Sequence, residues 1–338
     1  MNKKILLIDG MALLFRHFYA TSVHKQYMRN SEGTPTNGTQ GFVRHVYTAI
    51  QFAQPTHVAI CWDMGKSTFR NELFEDYKNN RPEPPEELKP QFDHVKQISE
   101  ALEFHNIGIL NFEADDVMGT MARHYTQEDD AKVIIITGDR DLLQCVSDQV
   151  EVWLIKKGFT EYLKYTHDVF YNQYQLEPHQ LVDIKAFMGD TADGYPGVKG
   201  IGEKTAIKLI QQYGSVEHVL ENLSELTPGQ QKKISTHIED LKLSKQLAKI
   251  EVNVPLNYDE LEQHIHYHHD IEKALQICAA HELKVSYKYI KSLYQSGPPV
   301  KRVVCSWAIS PLYRLASKGA GFFISCSSQN AIVSLASL

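Results

Sequence analysis

Nine carboxylates carry the chemistry to be expected of this chain. Asp9, Asp63, Glu113, Asp115, Asp116, Asp139 and Asp141 each stand just beyond a short apolar run, and Asp190 and Asp193 lie three residues apart further on. Any one of them alone reads as a helix N-cap or a solvated loop residue. Together they read differently, because four separate apolar runs end in the same kind of group. Like charges about 4 Å apart repel by about 4 kcal/mol at an effective dielectric near 20, so such a cluster persists only where cations neutralise it. All-oxygen donors favour a hard cation, Mg²⁺ or Mn²⁺. Nine carboxylates exceed what one ion can use, and two ions about 4 Å apart are a common device for hydrolysing a phosphodiester.

Bringing these acids together requires that the apolar runs be neighbouring strands. Residues 3–8, 57–62, 106–110 and 132–137 predict buried strands, with helices following through Leu13 to Phe18, Phe42 to Ile50 and Met118 to Ala122. Residues 150–155 and 161–165 predict a last strand pair. Beyond them 167–175, 178–188, 203–213, 215–222, 228–250 and 270–294 predict helices. Strands alternating with helices and then helices alone predict an α/β domain with a mostly parallel central sheet over residues 1–165, followed by a helical subdomain over 166–295. In a parallel sheet the strand ends that carry the acids share one edge. Residues 64–96 interrupt the alternation. They carry Lys66, Arg70, Lys78, Arg81, Lys89 and Lys96, are broken by Pro82, Pro84, Pro85 and Pro90, and predict a basic, broken helical insertion that projects from the body, its first helix capped by Ser67.

Next to Asp190 and Asp193 lies a second kind of chemistry. Gly197-Val198-Lys199-Gly200-Ile201-Gly202 joins predicted helices 178–188 and 203–213, and Lys199, Lys204 and Lys208 add charge. Glycines admit positive φ and close approach of a ligand, and the helix that follows aims its N-terminal amides at an anion. This helix-hairpin-helix pattern, about 178–213, suits gripping a duplex by its phosphates without reading sequence. A nucleotide-binding P-loop is excluded because Glu203 stands where its lysine belongs, and a dinucleotide fingerprint because Thr205 replaces its third glycine.

The overall charge is compatible with both. The chain has 338 residues, 35 lysines and arginines, and a net charge of −6. Setting the nine acids aside leaves 32 acids against those 35 basic residues, so the negative balance sits where metal would offset it. Five widely spaced cysteines form no C-x-x-C pair, which excludes a zinc-thiolate site or a disulfide scaffold and suits a reducing cytoplasm. Lys3-Lys4 runs straight into a short apolar stretch, so no secretory signal and no membrane association are expected.

Several stretches jointly resemble the bacterial and phage 5′→3′ exonuclease/flap endonuclease family, which includes the N-terminal nuclease domain of DNA polymerase I. They are Leu6-Leu7-Ile8-Asp9-Gly10, Trp62-Asp63, Phe69-Arg70, Tyr77-Lys78-x-x-Arg81, Glu113-Ala114-Asp115-Asp116, Thr137-Gly138-Asp139-Arg140-Asp141, Gly189-Asp190-x-x-Asp193 and Pro196 to Ala206. They run in the family's order across about residues 3–295. The resemblance implies a PIN-like 5′-nuclease fold acting on branched or nicked double-stranded DNA with a 5′ single-stranded flap. Residues 64–96 would form the helical arch over the flap. Lys78 and Arg81 would contact the scissile phosphate, and Tyr77 would stack on a base. One metal would be held by Asp9, Asp63, Glu113 and Asp115, the second by Asp139, Asp141, Asp190 and Asp193, with Asp116 close to either. Arg16 and Arg70 would reach phosphate, although each also reads as an ion-pairing residue. Gly197, Val198, Lys199, Gly200, Ile201, Gly202, Lys204 and Thr205 would hold the duplex, with a K⁺ ion on hairpin carbonyls in some members. The resemblance implies a monomeric, cytoplasmic, Mg²⁺-dependent hydrolase of replication and repair that leaves 5′-phosphate ends. Where the family often has Asn-Ile after the second acid of the pair, Gly194-Tyr195 stand here, which alters the turn and leaves the acids in place.

Two stretches stay outside this reading. His264-Ile265-His266-Tyr267-His268-His269 would place three histidines on one side of a strand, but reads better as a solvated linker than as a metal site. Residues 296–338 read as an atypical tail outside the fold. From 297 on they contain no Asp or Glu, and deleting 297–338 is expected to leave activity intact.

Overall fold

The computed structural model describes residues 3–65, 67–127 and 130–295. Lys66 and the expected tail, 296–338, lie outside them.

The first half alternates as predicted. Strand β1 (Lys4–Asp9) leads into α1 (Gly10–Thr21) and α2 (Asn37–Ala53). β2 (His57–Cys61) is followed by the short α3 (Phe69–Leu73) and by α4 (Lys89–Ala101). β3 (His105–Ile107) leads to α5 (Ala114–Tyr125), and β4 (Lys132–Thr137) to a single 3₁₀ turn at Asp141–Cys145. β5 (Val150–Lys157) and β6 (Glu161–Tyr165) close the sheet. The strand order is β3-β2-β1-β4-β5-β6. The first five strands are parallel and β6 is antiparallel to β5. Ile5 to Ile8 and Val133, Ile135 and Ile136 are wholly buried, as expected of central strands covered on both faces. The covering layers are α5 on one side and α1, α2 and α4 on the other.

The expected insertion at 64–96 is two helices joined by a non-helical strap. Thr68, not Ser67, caps α3: its Oγ1 accepts from the Arg70 amide, and Asn71 reaches back to the Thr68 amide. The strap from Phe74 to Leu88 lies over the acid-bearing edge rather than projecting. The Lys78 amide donates to the Asp193 carbonyl at 2.8 Å, and Asn80 donates to the Thr191 carbonyl at 2.7 Å. From Lys89 onward the segment belongs to the body, where Gln91, Val95 and Ile98 of α4 are buried.

The second half is helical: α6 (His167–Tyr174), α7 (Leu181–Met188), α8 (Glu203–Tyr213), α9 (Val216–Glu221), α10 (Pro228–Thr236), α11 (Ile238–Ala248), α12 (Tyr258–His264), α13 (Ile271–Ala280) and α14 (Lys284–Gln295). Two long predicted helices are each divided, 228–250 at His237 and 270–294 at His281-Glu282, where Glu282 takes a φ of 55°. The boundary drawn at 166–295 also changes. After about residue 256 the chain returns to the α/β body: Ala274, Cys278, Leu283, Ile290 and Leu293 share its core, Ser286 bonds Gln40, and Tyr289 bonds Thr48. The four histidines of the histidine-rich stretch are exposed, as expected of a solvated linker, but its backbone is more than a linker. Residues 265–267 pair with the start of β2, through Val58 N to the Ile265 carbonyl at 2.8 Å and Tyr267 N to the Thr56 carbonyl at 2.9 Å. Among the described residues no helix is long and apolar enough to cross a membrane.

Candidate active site at the carboxyl edge of the sheet

Eight of the nine sequence-predicted carboxylates line one cavity of about 1060 Å³: Asp9, Asp63, Glu113, Asp115, Asp139, Asp141, Asp190 and Asp193. The placement of each follows from local structure. Asp9 ends β1 and caps α1, accepting from the Ala12 amide at 2.9 Å. The next residue must be glycine, because a Cβ on Gly10 would lie 2.6 Å from the buried Trp62 ring. Asp63 follows β2 and accepts from the Ala114 amide at 2.8 Å, which ties the β2 end to the start of α5. Thr137, the last residue of β4, donates to Asp9 at 2.8 Å and accepts from the Asp139 amide at 3.0 Å. Asp190 and Asp193 sit on a tight loop closed by Asp190–Tyr195 backbone bonds, with Asp190 accepting from the Ala192 and Asp193 amides.

That loop is bound to the glycine hairpin by direct backbone contact. Gly189 and Gly197 both have positive φ, 68° and 62°, and a Cβ on Gly197 would fall 2.2 Å from the Gly189 nitrogen. The Gly197 amide donates to Ser244 of α11, and the Val198 amide to the Phe187 carbonyl. Acid pair and hairpin therefore form one rigid turn between α7 and α8.

The cluster is unevenly neutralised. Burial pushes the Asp9 carboxyl up to about 7, against its bonds from Ala12 and Thr137 and with help from Asp63 and Asp139. Burial, then Asp139 and Asp9, hold Asp115 well above the carboxylate range. Burial and Asp139 raise Asp141 to about 7 although Lys185 opposes them. Burial would raise Asp190 too, but the Lys185 ammonium and two amides outweigh it and the net shift is downward. Oxygens of Asp141, Asp190 and Asp193 lie within 4.8 Å of one another. Lys185 of α7 donates to both Asp141 and Asp190, the latter at 2.6 Å. Arg81 bonds Asp193 at 2.6 Å and Lys78 bonds Glu113 at 2.7 Å. An all-oxygen set crowded and buried enough to raise Asp9, Asp115 and Asp141 suits one or more hard divalent cations.

Lys185 was not found from sequence. It is 8% exposed in an apolar helix. A lone lysine inside Ile184-Lys185-Ala186-Phe187, five residues before Asp190, was the available signal, since such a group is buried only when paired.

Four sequence-predicted residues are engaged elsewhere. Asp116 is wholly buried and outside the cavity. Arg70 grips it with two bonds of 2.7 and 2.8 Å, and the Glu113 and Glu251 amides donate to it. No acceptor site is left for a metal. Arg70, 2% exposed, also donates to the Leu247 and Lys249 carbonyls, so it locks α3 to α5 and α11 rather than reaching phosphate. Tyr77 is 2% exposed with its hydroxyl toward Glu113 and Asp193, and presents no face for base stacking. Arg16 donates to the Lys156 and Gly158 carbonyls at the C-terminal end of β5 and does not line the cavity. Within the hairpin, Val198 and Ile201 are core anchors at 2% and 3% exposure, and Gly197 is buried as well. Lys199, Gly200, Gly202 and Lys204 are exposed, Thr205 is half-buried, and Lys233 of α10 donates to the Gly200 carbonyl at 3.0 Å.

Comparison with known proteins accords with this geometry. Residues 4–175 match the model of the 5′-3′ exonuclease N-terminal resolvase-like domain, and residues 176–270 that of the 5′-3′ exonuclease C-terminal SAM fold. The chain is 53% identical over 255 residues to a 5′-3′ exonuclease of Bacillus subtilis, covering 75% of this chain and 86% of that one. It is 40% identical over 257 residues to DNA polymerase I of Bacillus caldotenax, of which it spans 29%. Its fold is that of the T5 5′-exonuclease solved with divalent zinc (TM-score 0.61, 22% identity, 87% of this chain and 99% of that one). It is also that of the Rad2 catalytic core solved with a DNA substrate (TM-score 0.55, 11% identity, 86% and 92%).

Proposed function

The chain belongs to the 5′-3′ exonuclease family, and from that premise we propose that it is a Mg²⁺-dependent, structure-specific 5′ nuclease. It hydrolyses DNA phosphodiesters at 5′-flap junctions or 5′ ends and leaves 5′-phosphates. The observation that carries the reading is the convergence of eight carboxylates, two of them held near pH 7 by burial and mutual repulsion, on one open cavity beside an exposed glycine hairpin.

When bound, divalent cations supply the positive charge that acidifies water and offsets charge on the phosphate oxygens. Asp9, Asp63, Glu113 and Asp115 would hold one ion, and Asp139, Asp141, Asp190 and Asp193 the other. Lys78 and Arg81 would exchange their carboxylate partners for the scissile phosphate, where developing negative charge rewards fixed cations. Lys185 keeps Asp141 and Asp190 together in the absence of an ion. Met11, Phe15, Pro82 and Pro84 give the cavity lining apolar surface suited to unpaired bases, the part expected of Tyr77. The strap from Phe74 to Leu88 would cover the flap. Lys199, Gly200, Gly202 and Lys204 would grip duplex phosphates at the start of α8. The Lys233 ammonium on the Gly200 carbonyl supports a hairpin that binds K⁺ only when Lys233 moves aside. The protein would act as a cytoplasmic monomer in replication and repair.

The test is cleavage of a labelled 5′-flap duplex by the full chain in Mg²⁺, in EDTA, and by an Asp139→Asn variant. Cutting at the junction in Mg²⁺ alone, lost in the variant, is expected. Binding without cutting in Mg²⁺ would leave a junction-binding protein instead.

A further inference from the structure

Among the described residues four cations line the cavity: Lys78, Arg81, Arg140 and Lys185. Three are spoken for, since Lys78 bonds Glu113, Arg81 bonds Asp193, and Lys185 bonds Asp141 and Asp190. Arg140 differs. It stands between Asp139 and Asp141 at the head of the 3₁₀ turn, is exposed, and has no carboxylate of the described residues within ion-pair distance. Its one hydrogen-bond partner among the described residues is the neutral hydroxyl of Tyr174. A guanidinium has five N–H donors in a planar fork that matches phosphate, and here a single phenol occupies it.

The surroundings connect this loop to the helix that follows the hairpin. Gln173, Tyr174 and Glu203 line the same cavity as Arg140, and Glu203 is the first residue of α8. No ion pair joins Glu203 to Arg140 among the described residues. Tyr174 ends α6, is 7% exposed and packs on Phe170 with ring centroids 4.7 Å apart. Its carbonyl accepts from Gln211 of α8 at 2.6 Å. One tyrosine thus links the loop carrying Asp139 and Asp141 to the helix behind the hairpin.

We propose that Arg140 is a positioning residue that holds a backbone phosphate of the duplex between the cut site and the helical hairpin, and that Tyr174 fixes where that phosphate sits. The proposal rests on the nuclease reading above. A duplex gripped only at the hairpin can rock about that grip. A second fixed phosphate sets the number of nucleotides between grip and cut, and this is the property a nuclease that cuts at one junction needs.

The experiment measures affinity, single-turnover rate and cut position on a labelled 5′-flap duplex, with affinity repeated from about 50 to 200 mM salt. Arg140→Gln is expected to weaken binding about tenfold and to lower the salt slope by about 0.9, the signature of one lost phosphate contact. The rate at saturating DNA should fall by less than about threefold. Arg140→Lys should recover the slope and most of the affinity. Tyr174→Phe keeps the charge, so the slope should hold while cuts spread to neighbouring phosphodiesters. An unchanged slope in a folded Arg140→Gln protein, a loss confined to the saturated rate, or no recovery in Arg140→Lys would overturn the proposal. A wild-type protein that cuts no flap DNA would sink the nuclease reading, whereas one that cuts normally beside an Arg140→Gln variant of unaltered slope would sink this proposal alone.

Discussion

Asp9 and Asp115 face the cavity with no cation bonded to them among the described residues, whereas Asp141, Asp190 and Asp193 in the same cavity are cross-linked by Lys185 and Arg81. Burial, with repulsion from neighbouring acids, raises both carboxyls of the first group. In the second, a buried ammonium depresses Asp190 and leaves Asp141 only partly relieved. The same residue type under similar crowding thus has two solutions. One set carries no cation of the chain's own, and the other is already bridged by one. Asp116 marks a third outcome, a carboxylate so fully bonded by Arg70 and two amides that it has left the site. An ion entering the first set displaces protons. An ion entering the second must displace Lys185 or Arg81, and should bind more weakly.

The comparison breaks first at Asp115. Replacing it with Asn in the group without a cation should reduce single-turnover cleavage by about a thousandfold or more while flap binding persists. A loss of only a few-fold would mean that this group does not hold the reacting phosphate's counter-charge. Next in size is Lys185→Ala. Removing one partner of a buried pair costs about 3 kcal/mol, so the metal-free protein should melt well below wild type. Mg²⁺ should restore most of the difference, because an ion can occupy the vacated place between Asp141 and Asp190. Equal melting shifts with and without Mg²⁺ would show that Lys185 is merely packed there.

The pH dependence gives a smaller effect with a definite sign. Asp9 and Asp141 are raised from 3.8 to about 7, so their contribution to stability is complete below about pH 4 and is lost as pH rises through about 7. Metal-free protein should therefore lose melting temperature across that window. Mg²⁺ binds the ionised form, so the rise it produces should be larger at about pH 8 than at about pH 5, by about 5 °C. The opposite trend would remove the electrostatic account of the cluster. Smallest in its effect on cutting is Asp116→Asn. It should destabilise the fold by about 2 kcal/mol by weakening the grip of Arg70, yet leave metal affinity and cleavage within about twofold of wild type at low temperature. A large loss of metal affinity would return Asp116 to the site.

Much of this was readable in the chain because strand ends are local facts. Each acid-bearing edge follows an apolar run whose length and β-branching predict a buried strand, and parallel topology then gathers the ends. What stayed hidden depended on direction or on distant contact. Asp115 and Asp116 are adjacent, but successive helical residues point about 100° apart, so one faces the cavity and the other the interior. The spacing of Glu113 and Asp116 was a usable hint, since it matches the reciprocal cap found at the start of α5. Arg70 and Tyr77 look like phosphate and base ligands by type. Only the packing of α3 against α5 and α11 turns Arg70 inward, and only the strap's contact with Val182, Tyr195 and Leu247 buries Tyr77. The return of residues 258–295 to the α/β body rests on contacts with α2 more than 200 residues away in sequence, as between Ser286 and Gln40, which no local pattern encodes.

The central claim, two carboxylate groups of unequal readiness for a cation, is tested most directly by calorimetric titration of the metal-free protein with Mn²⁺. Two binding steps are predicted, the tighter lost in Asp115→Asn and the weaker lost in Asp190→Asn, with both retained in Asp116→Asn. A single step, or two steps that vanish together in either variant, would contradict it.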